Sequence, residues 1–169
     1  DMITARAQMG MSGTQNAALV MGGYPGSKDL SEEYNGTSWA AGGALGTARY
    51  GETAAGTQNA TVTIGGYNKC TATELYNGMS WVAGGALGTG RHYAAAAGSV
   101  NATLAFGGSD GTAVSGSEAY DGSAWSTVAE MSEGRCYLGG AGTQNAVVAF
   151  FGFSPTTTPS RRNTTEEYN

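Results

Sequence analysis

The sequence predicts an all-β protein, a β-propeller of four-stranded antiparallel blades. Three observations carry this. The chain repeats itself about four times at spacings of 42 to 44 residues. Bulky and charged residues recur in phase within each copy. No segment holds an apolar period of 3.6 over ten or more residues, so no helix is expected. Four-stranded units of roughly 40–50 residues have the size of propeller blades.

The repeats span residues 1–44, 45–86, 87–130 and 131–169, read as one domain. Arginines at Arg6, Arg49, Arg91 and Arg135 are spaced 43, 42 and 44 apart. Trp39, Trp81 and Trp125 follow at 42 and 44, and Tyr34, Tyr76, Tyr120 and Tyr168 at 42, 44 and 48.

Each copy reads as four strands. A small-residue strand such as Tyr93–Gly98, "YAAAAG", follows the arginine. Its Ala and Gly content suits the innermost strand, where blades converge and space is least. "TQN" or "SVN" then turns the chain into an apolar strand such as Ala102–Phe106, which ends in Gly-Gly. A loop of variable length follows. The third strand ends at the tyrosine. Asn35-Gly36, Asn77-Gly78 and Asp121-Gly122 supply turn residues. The fourth strand opens with the tryptophan, and Trp and Tyr are expected to fill the wider outer space between sheets.

Composition agrees. Gly makes up 29 of 169 residues, yet there are three Trp and nine Tyr, and only 12% of residues are charged. Disordered chains carry more charge and fewer aromatics, and the strict Gly period of collagen is missing. The net charge is −5, with no basic cluster beyond Arg161-Arg162, so no nucleic-acid partner is expected. No apolar run reaches the ~18 residues of a membrane span. No secretory leader is visible and the chain does not begin with Met, so it reads as a processed form or a segment of a longer chain. Cys70 and Cys136 stand at non-equivalent repeat positions and read as free thiols rather than a disulfide.

The motif resembles the kelch repeat. Its features are an opening Arg, a Gly doublet, a Tyr some eleven residues on and a Trp five residues later. Here these are Gly22-Gly23, Tyr34 and Trp39; Gly65-Gly66, Tyr76 and Trp81; and Gly107-Gly108, Tyr120 and Trp125. The fourth copy departs, with Phe151-Gly152 for the doublet and no Trp. The resemblance covers essentially the whole chain and implies a propeller. Kelch-like propellers include enzymes, adaptors and adhesins, so fold alone does not give function. The wording "GTQNA…GGY…EEYNGTSW" also looks like repeat proteins of marine phages and bacteria, which implies a virion fibre or surface adhesin. Kelch propellers are usually six- or seven-bladed. The four copies therefore read either as a four-bladed ring short of one outer strand, or as part of a ring completed by other sequence or by a second copy. An unpaired blade edge invites such self-association.

Catalytic chemistry is hard to assemble from these residues. "GTQNATVTIGGYN" has no helix start after its glycines, so it is a blade hairpin and not a phosphate loop. The single histidine, His92, reads as a partly buried strand residue. One imidazole cannot build a copper site, no Cys/His set has zinc spacing, and no triad stands out. No catalytic residue, metal or cofactor is assigned, and a non-enzymatic role is expected. Glu32, Glu74, Glu118 and Glu166 stand two residues before each tyrosine. An Arg–Glu or Arg–backbone tie within or between blades is favoured over an anion-binding arginine cluster. Asn35, Asn59, Asn101 and Asn163 match a glycosylation sequon, three of them at turns the fold requires.

The copies diverge in one loop: "YPGSKDLS", "YNKCTA", "SDGTAVSG" and "FSPTTTPSRRN". In a propeller these loops share a face with the "GGALGT" connections, and divergent loops on a repeated frame form recognition surfaces. The candidates are Tyr24, Lys28, Asp29, Tyr67, Asn68, Lys69, Asp110, Phe153, Arg161 and Arg162. The expected function is a binding or structural module of an extracellular or virion appendage, recognising protein or cell-surface glycan. Alternatives are a carbohydrate-active enzyme domain and an intracellular kelch adaptor.

Overall fold

The computed structural model describes residues 1–154 and 160–169. All its regular elements are strands. Blade 1 holds β1 (Gly10–Thr14), β2 (Ala17–Met21), β3 (Ser31–Tyr34) and β4 (Trp39–Ala41). Blade 2 holds β5 (Thr53–Thr57), β6 (Ala60–Ile64), β7 (Thr73–Tyr76) and β8 (Trp81–Ala83). Blade 3 holds β9 (Ala95–Ser99), β10 (Ala102–Phe106), β11 (Ser117–Tyr120) and β12 (Trp125–Val128). Blade 4 has three strands, β13 (Gly139–Thr143), β14 (Ala146–Phe150) and β15 (Thr165–Tyr168). Every sheet is an antiparallel meander with neighbours in chain order. The inner strand of blade 3 starts later than its composition suggests. Tyr93 lies outside β9 at φ 53°, because it belongs to the connection entering the blade.

The blades stand around a common axis. β5 packs on β1, β9 on β5 and β13 on β9. Among the described residues no comparable contact returns from β13 to β1, and no strand ladder closes the ring. The inner strands line the axial channel with small residues such as Ser12, Ala54, Ala55, Ala96, Ala97 and Ala141.

Three apolar clusters fill the three junctions. Leu19, Met21, Leu45 and Tyr76 join blades 1 and 2. Ala55, Val62, Ile64, Leu87 and Ala105 join blades 2 and 3. Leu104, Phe106, Leu138, Val147 and Ala149 join blades 3 and 4. Second strands covered on both faces are buried almost throughout: Thr61, Val62, Thr63 and Ile64 of β6 are all inaccessible. In β14 burial alternates, with Val147 and Ala149 buried and Val148 and Phe150 partly open. Alternation is the mark of a sheet with one uncovered face.

Side chains cross the junctions from recurring repeat positions. The Nε2 of Gln58 donates to the carbonyls of Ala18 (3.0 Å) and Tyr34 (2.7 Å) in the blade before it. Gln144 repeats this on Thr103 (3.1 Å) and Tyr120 (2.7 Å). Trp81 Nε1 donates to the Gly43 carbonyl at 3.1 Å and Trp125 Nε1 to Thr73 Oγ1 at 3.0 Å. Each tryptophan also tilts against its tyrosine, at 5.1, 4.8 and 4.9 Å between ring centres.

A buried clasp opens every blade. Arg91 donates from Nη2 to Glu118 Oε1 at 2.7 Å, and from Nη1 to the carbonyls of Gly107 (3.1 Å) and Gly116 (2.5 Å). The Glu118 carboxylate also accepts the backbone N–H groups of Gly88 and Thr89. Arg49 and Glu74 repeat the set, and Arg6 pairs with Glu32 and Arg135 with Glu166 in looser versions of it. The arginine backbone faces the other way. Its carbonyl accepts the N–H of the second glycine of the preceding doublet, at 2.9 Å from Gly23, Gly66 and Gly108. Arg49, Arg91 and Arg135 are thus each bolted to their own blade by the side chain and to the previous blade by the backbone. Replacing Arg91 by Lys keeps the charge but removes the planar fork, leaving buried carbonyls unpaired. A loss of about 2 kcal/mol is expected in urea unfolding.

Two tyrosines at equivalent positions have different partners. Tyr76 Oη donates to Glu33 of blade 1. Burial, and then Glu33, push the Tyr76 hydroxyl up to about 12. Tyr120 meets blade 2 where Leu75 replaces that glutamate, and its buried hydroxyl has no partner. Tyr76→Phe should therefore cost about 1 kcal/mol, while Tyr120→Phe should be neutral or stabilising. Thermal melts of the two variants compare them directly.

Glu52 is a buried carboxyl at the junction of blades 1 and 2, where the other repeats carry Met9, Ala94 and Leu138. Its Oε1 accepts the Gly10 N–H at 3.0 Å, and Oε2 has no partner. Burial pushes the carboxyl up to about 7, against the lowering pull of those bonds and of Arg49 and Arg6. In the unfolded chain it titrates near 4.5. Below that pH both states hold the proton. Between about 4.5 and 7 only the unfolded state releases it, so stability falls as pH rises through this window. The loss is on the order of 3 kcal/mol and is complete above it. Glu52→Gln should remove this slope and exceed the parent's stability at pH 8, measured by denaturant titration across pH.

Candidate functional site

The clasp also positions the site. The residue after each arginine pairs with the residue after the Gly doublet of its own blade. Ala7 bridges Tyr24, His92 bridges Ser109, Cys136 bridges Phe153, and the Tyr67 N–H donates to the Tyr50 carbonyl at 2.7 Å. The next residue links blade to blade. Gly51 N–H donates to the Gln8 carbonyl (2.7 Å), Tyr93 to Gly51 (2.7 Å) and Tyr137 to Tyr93 (2.9 Å). Tyr93 and Tyr137 take φ of 53° and 55° to do so. A left-handed φ on an aromatic residue is uncommon and is held by its surroundings.

The outcome is a continuous row of six rings across one face. Tyr24 meets Tyr50 edge-on at 5.5 Å, and Tyr50 stacks on Tyr67 at 4.7 Å. Tyr67 meets His92 edge-on at 5.3 Å, and His92 meets Tyr93 at 4.8 Å. Tyr93 stacks on Tyr137 at 4.2 Å. Tyr24, Tyr67 and Tyr137 are each at least half exposed. Beyond Tyr137 the row continues into an open groove formed with Phe151, Phe153, Arg161 and Arg162.

Burial shifts three rings of the row. Burial, then Tyr137, push the Tyr93 hydroxyl up to about 12, and burial with Tyr67 raises Tyr50. Burial pulls His92 down, opposed by Asp110, and its Nδ1 has no partner. The rings therefore offer apolar faces and hydroxyl donors together.

The sequence candidates divide between the row and its surroundings. Tyr24 and Tyr67 are members of the row, and Phe153, Arg161 and Arg162 line the groove. Asn68 and Lys69 turn the chain after Tyr67, at φ of 66° and 56°. Lys69 lies near Asp110, whose carboxyl is held below its usual range mainly by the Thr112 N–H, with Lys69 adding to the effect. Lys28 is tied through its backbone to Arg49, and the Asp29 carbonyl accepts the Leu45 N–H at 2.7 Å. Among the described residues no hydrogen bond or ion pair joins either side chain to the row. Residues 155–159 of the fourth loop lie outside the described residues.

Sequence reasoning missed Tyr50, His92, Tyr93, Tyr137 and Phe151. A signal existed. Aromatic residues crowd the two positions after three of the four repeat arginines, as "RY", "RHY" and "RCY". They look like the start of a strand, and only the blade-to-blade linkage turns them onto the face.

Both cysteines are free thiols. Among the described residues no group of three or more His, Cys, Asp or Glu is placed to hold a metal, and no helix is long and apolar enough to cross a membrane. No protein-family model and no curated protein matches this chain.

Proposed function

We propose that this kelch-like propeller is a non-enzymatic binding module of an extracellular or virion appendage, and that it recognises glycan through its aromatic face. The single observation that carries this is the six-ring row from Tyr24 to Tyr137. Half-exposed tyrosines suit the apolar faces and hydroxyls of sugars. Sparse charge and a surface rich in Thr, Ser, Asn and Gly support a role outside the cell, on a fibre or adhesin. Tyr67→Ala and Tyr50→Ala should each weaken glycan binding about tenfold or more on an array, because stacked aromatics dominate such surfaces. Thermal stability of Tyr67→Ala should stay near that of the parent, since its ring is exposed. Full retention of glycan binding by both variants would overturn the proposal.

A second reading concerns the ring. Gln15 holds in blade 1 the position from which Gln58 and Gln144 grip the preceding blade, and it stands exposed. This favours completion of the ring by further blades, from other sequence or a second copy. Light scattering of the chain, alone and as Gln15→Ala, tests the second-copy case.

A further inference from the structure

Blade 4 departs from the repeat at one backbone position. After the second strand the other blades place Gly22, Gly65 and Gly107, at φ of 65°, 69° and 63°. A Cβ there would collide with the carbonyl of the next blade's arginine, 2.8 Å away for Arg49 and 2.7 Å for Arg135, and closer still for Arg91. Blade 4 carries Phe151 at this position, with the same left-handed φ of 62° and an exposure of 58%. The ring stands where a following arginine turn would pack, so the corner is open to something else.

The rest of that corner is built of free surfaces. Tyr137 is the last ring of the row, stacked by Tyr93 on one face and 60% exposed. Phe153 is 37% exposed. The Arg161 side chain is exposed, and no described residue pairs with it. Arg162 gives its Nη2 to Glu133 at 2.8 Å. This is the chain's one pair of adjacent cations, in a protein of net charge −5. Aromatic faces beside an uncommitted guanidinium complement a flat, partly apolar ligand bearing a planar anion.

We infer that the groove between Tyr137, Phe151 and Arg161 binds the carboxylated ring of an acidic glycan. The apolar sugar face packs on Tyr137 and Phe151, and the carboxylate pairs with Arg161. This rests on the glycan-binding proposal above and names the sugar class. A second copy docked in register on blade 4 would have to displace Phe151, so the groove is filled by ligand or by blade, not by both.

Calorimetric titration of the full chain with oligogalacturonate and with its methyl ester tests the inference, since the ester keeps the sugar rings and their hydroxyls but caps each carboxylate with a methyl group and removes its charge. The acid form should bind at least tenfold more tightly, with affinity falling as salt rises. Arg161→Ala should abolish that preference without changing the melting temperature. Phe151→Gly, which restores the doublet, should fold and bind both forms more weakly. Equal binding of acid and ester, or a preference that survives Arg161→Ala, would overturn it. Binding of neutral glycans through Tyr50 and Tyr67 with no acid preference would sink this inference alone. Binding of no glycan at all would sink the earlier proposal with it.

Discussion

The structure depends on a guanidinium buried at the start of each blade. A charge removed from water is costly unless every donor and acceptor around it is matched. In blades 2 and 3 the match is complete. Arg49 and Arg91 use Nε, Nη1 and Nη2, and their glutamates take two backbone N–H groups each. At the ends it loosens. Arg6 leaves Nε and Nη2 unpaired, Arg135 leaves Nε, and the Glu166 side chain is 25% exposed. The side-chain bonds of Arg49 and Arg91 all stay within their own blade and its entry loop.

That constraint carries the surface. With the arginine side chain locked inward, the backbone just after it has one direction left, out to the loop face. The two following residues therefore pair with the loop of one blade and hydrogen-bond to the entry of the neighbour. Whatever side chains stand there are lined up from blade to blade. This chain fills those positions with Tyr50, His92, Tyr93 and Tyr137. The rigid frame thus fixes a row of rings whose contacts come from four separate repeats.

The Gly doublet shows the same coupling from the other side. Its second residue gives the N–H that holds the next arginine carbonyl, and its first must leave room for that carbonyl. Where a next blade packs, the position is Gly. In blade 4 it is Phe151. One substitution at a junction position converts a packing surface into an exposed aromatic corner.

Much of the fold was legible from the sequence. The period of Arg, Tyr and Trp, the Gly doublets and the lack of a helical period determined four-strand meanders set around an axis. Local rules suffice there, because turns and strand alternation are properties of short stretches. The pairing of each arginine with a particular glutamate could be suggested by phase, since one of each recurs per repeat. Tyr24, Tyr67 and Phe153 were found because they lie in visibly divergent loops. Tyr50, His92, Tyr93 and Tyr137 were not, because their own segments resemble strand beginnings. Only the tertiary structure decided that they leave the strand, that Tyr93 and Tyr137 take left-handed backbone angles, and that the rings join into one row. It also decided that β13 does not return to β1. Both outcomes depend on how one blade packs against the next, through contacts between separate repeats that a local pattern does not encode.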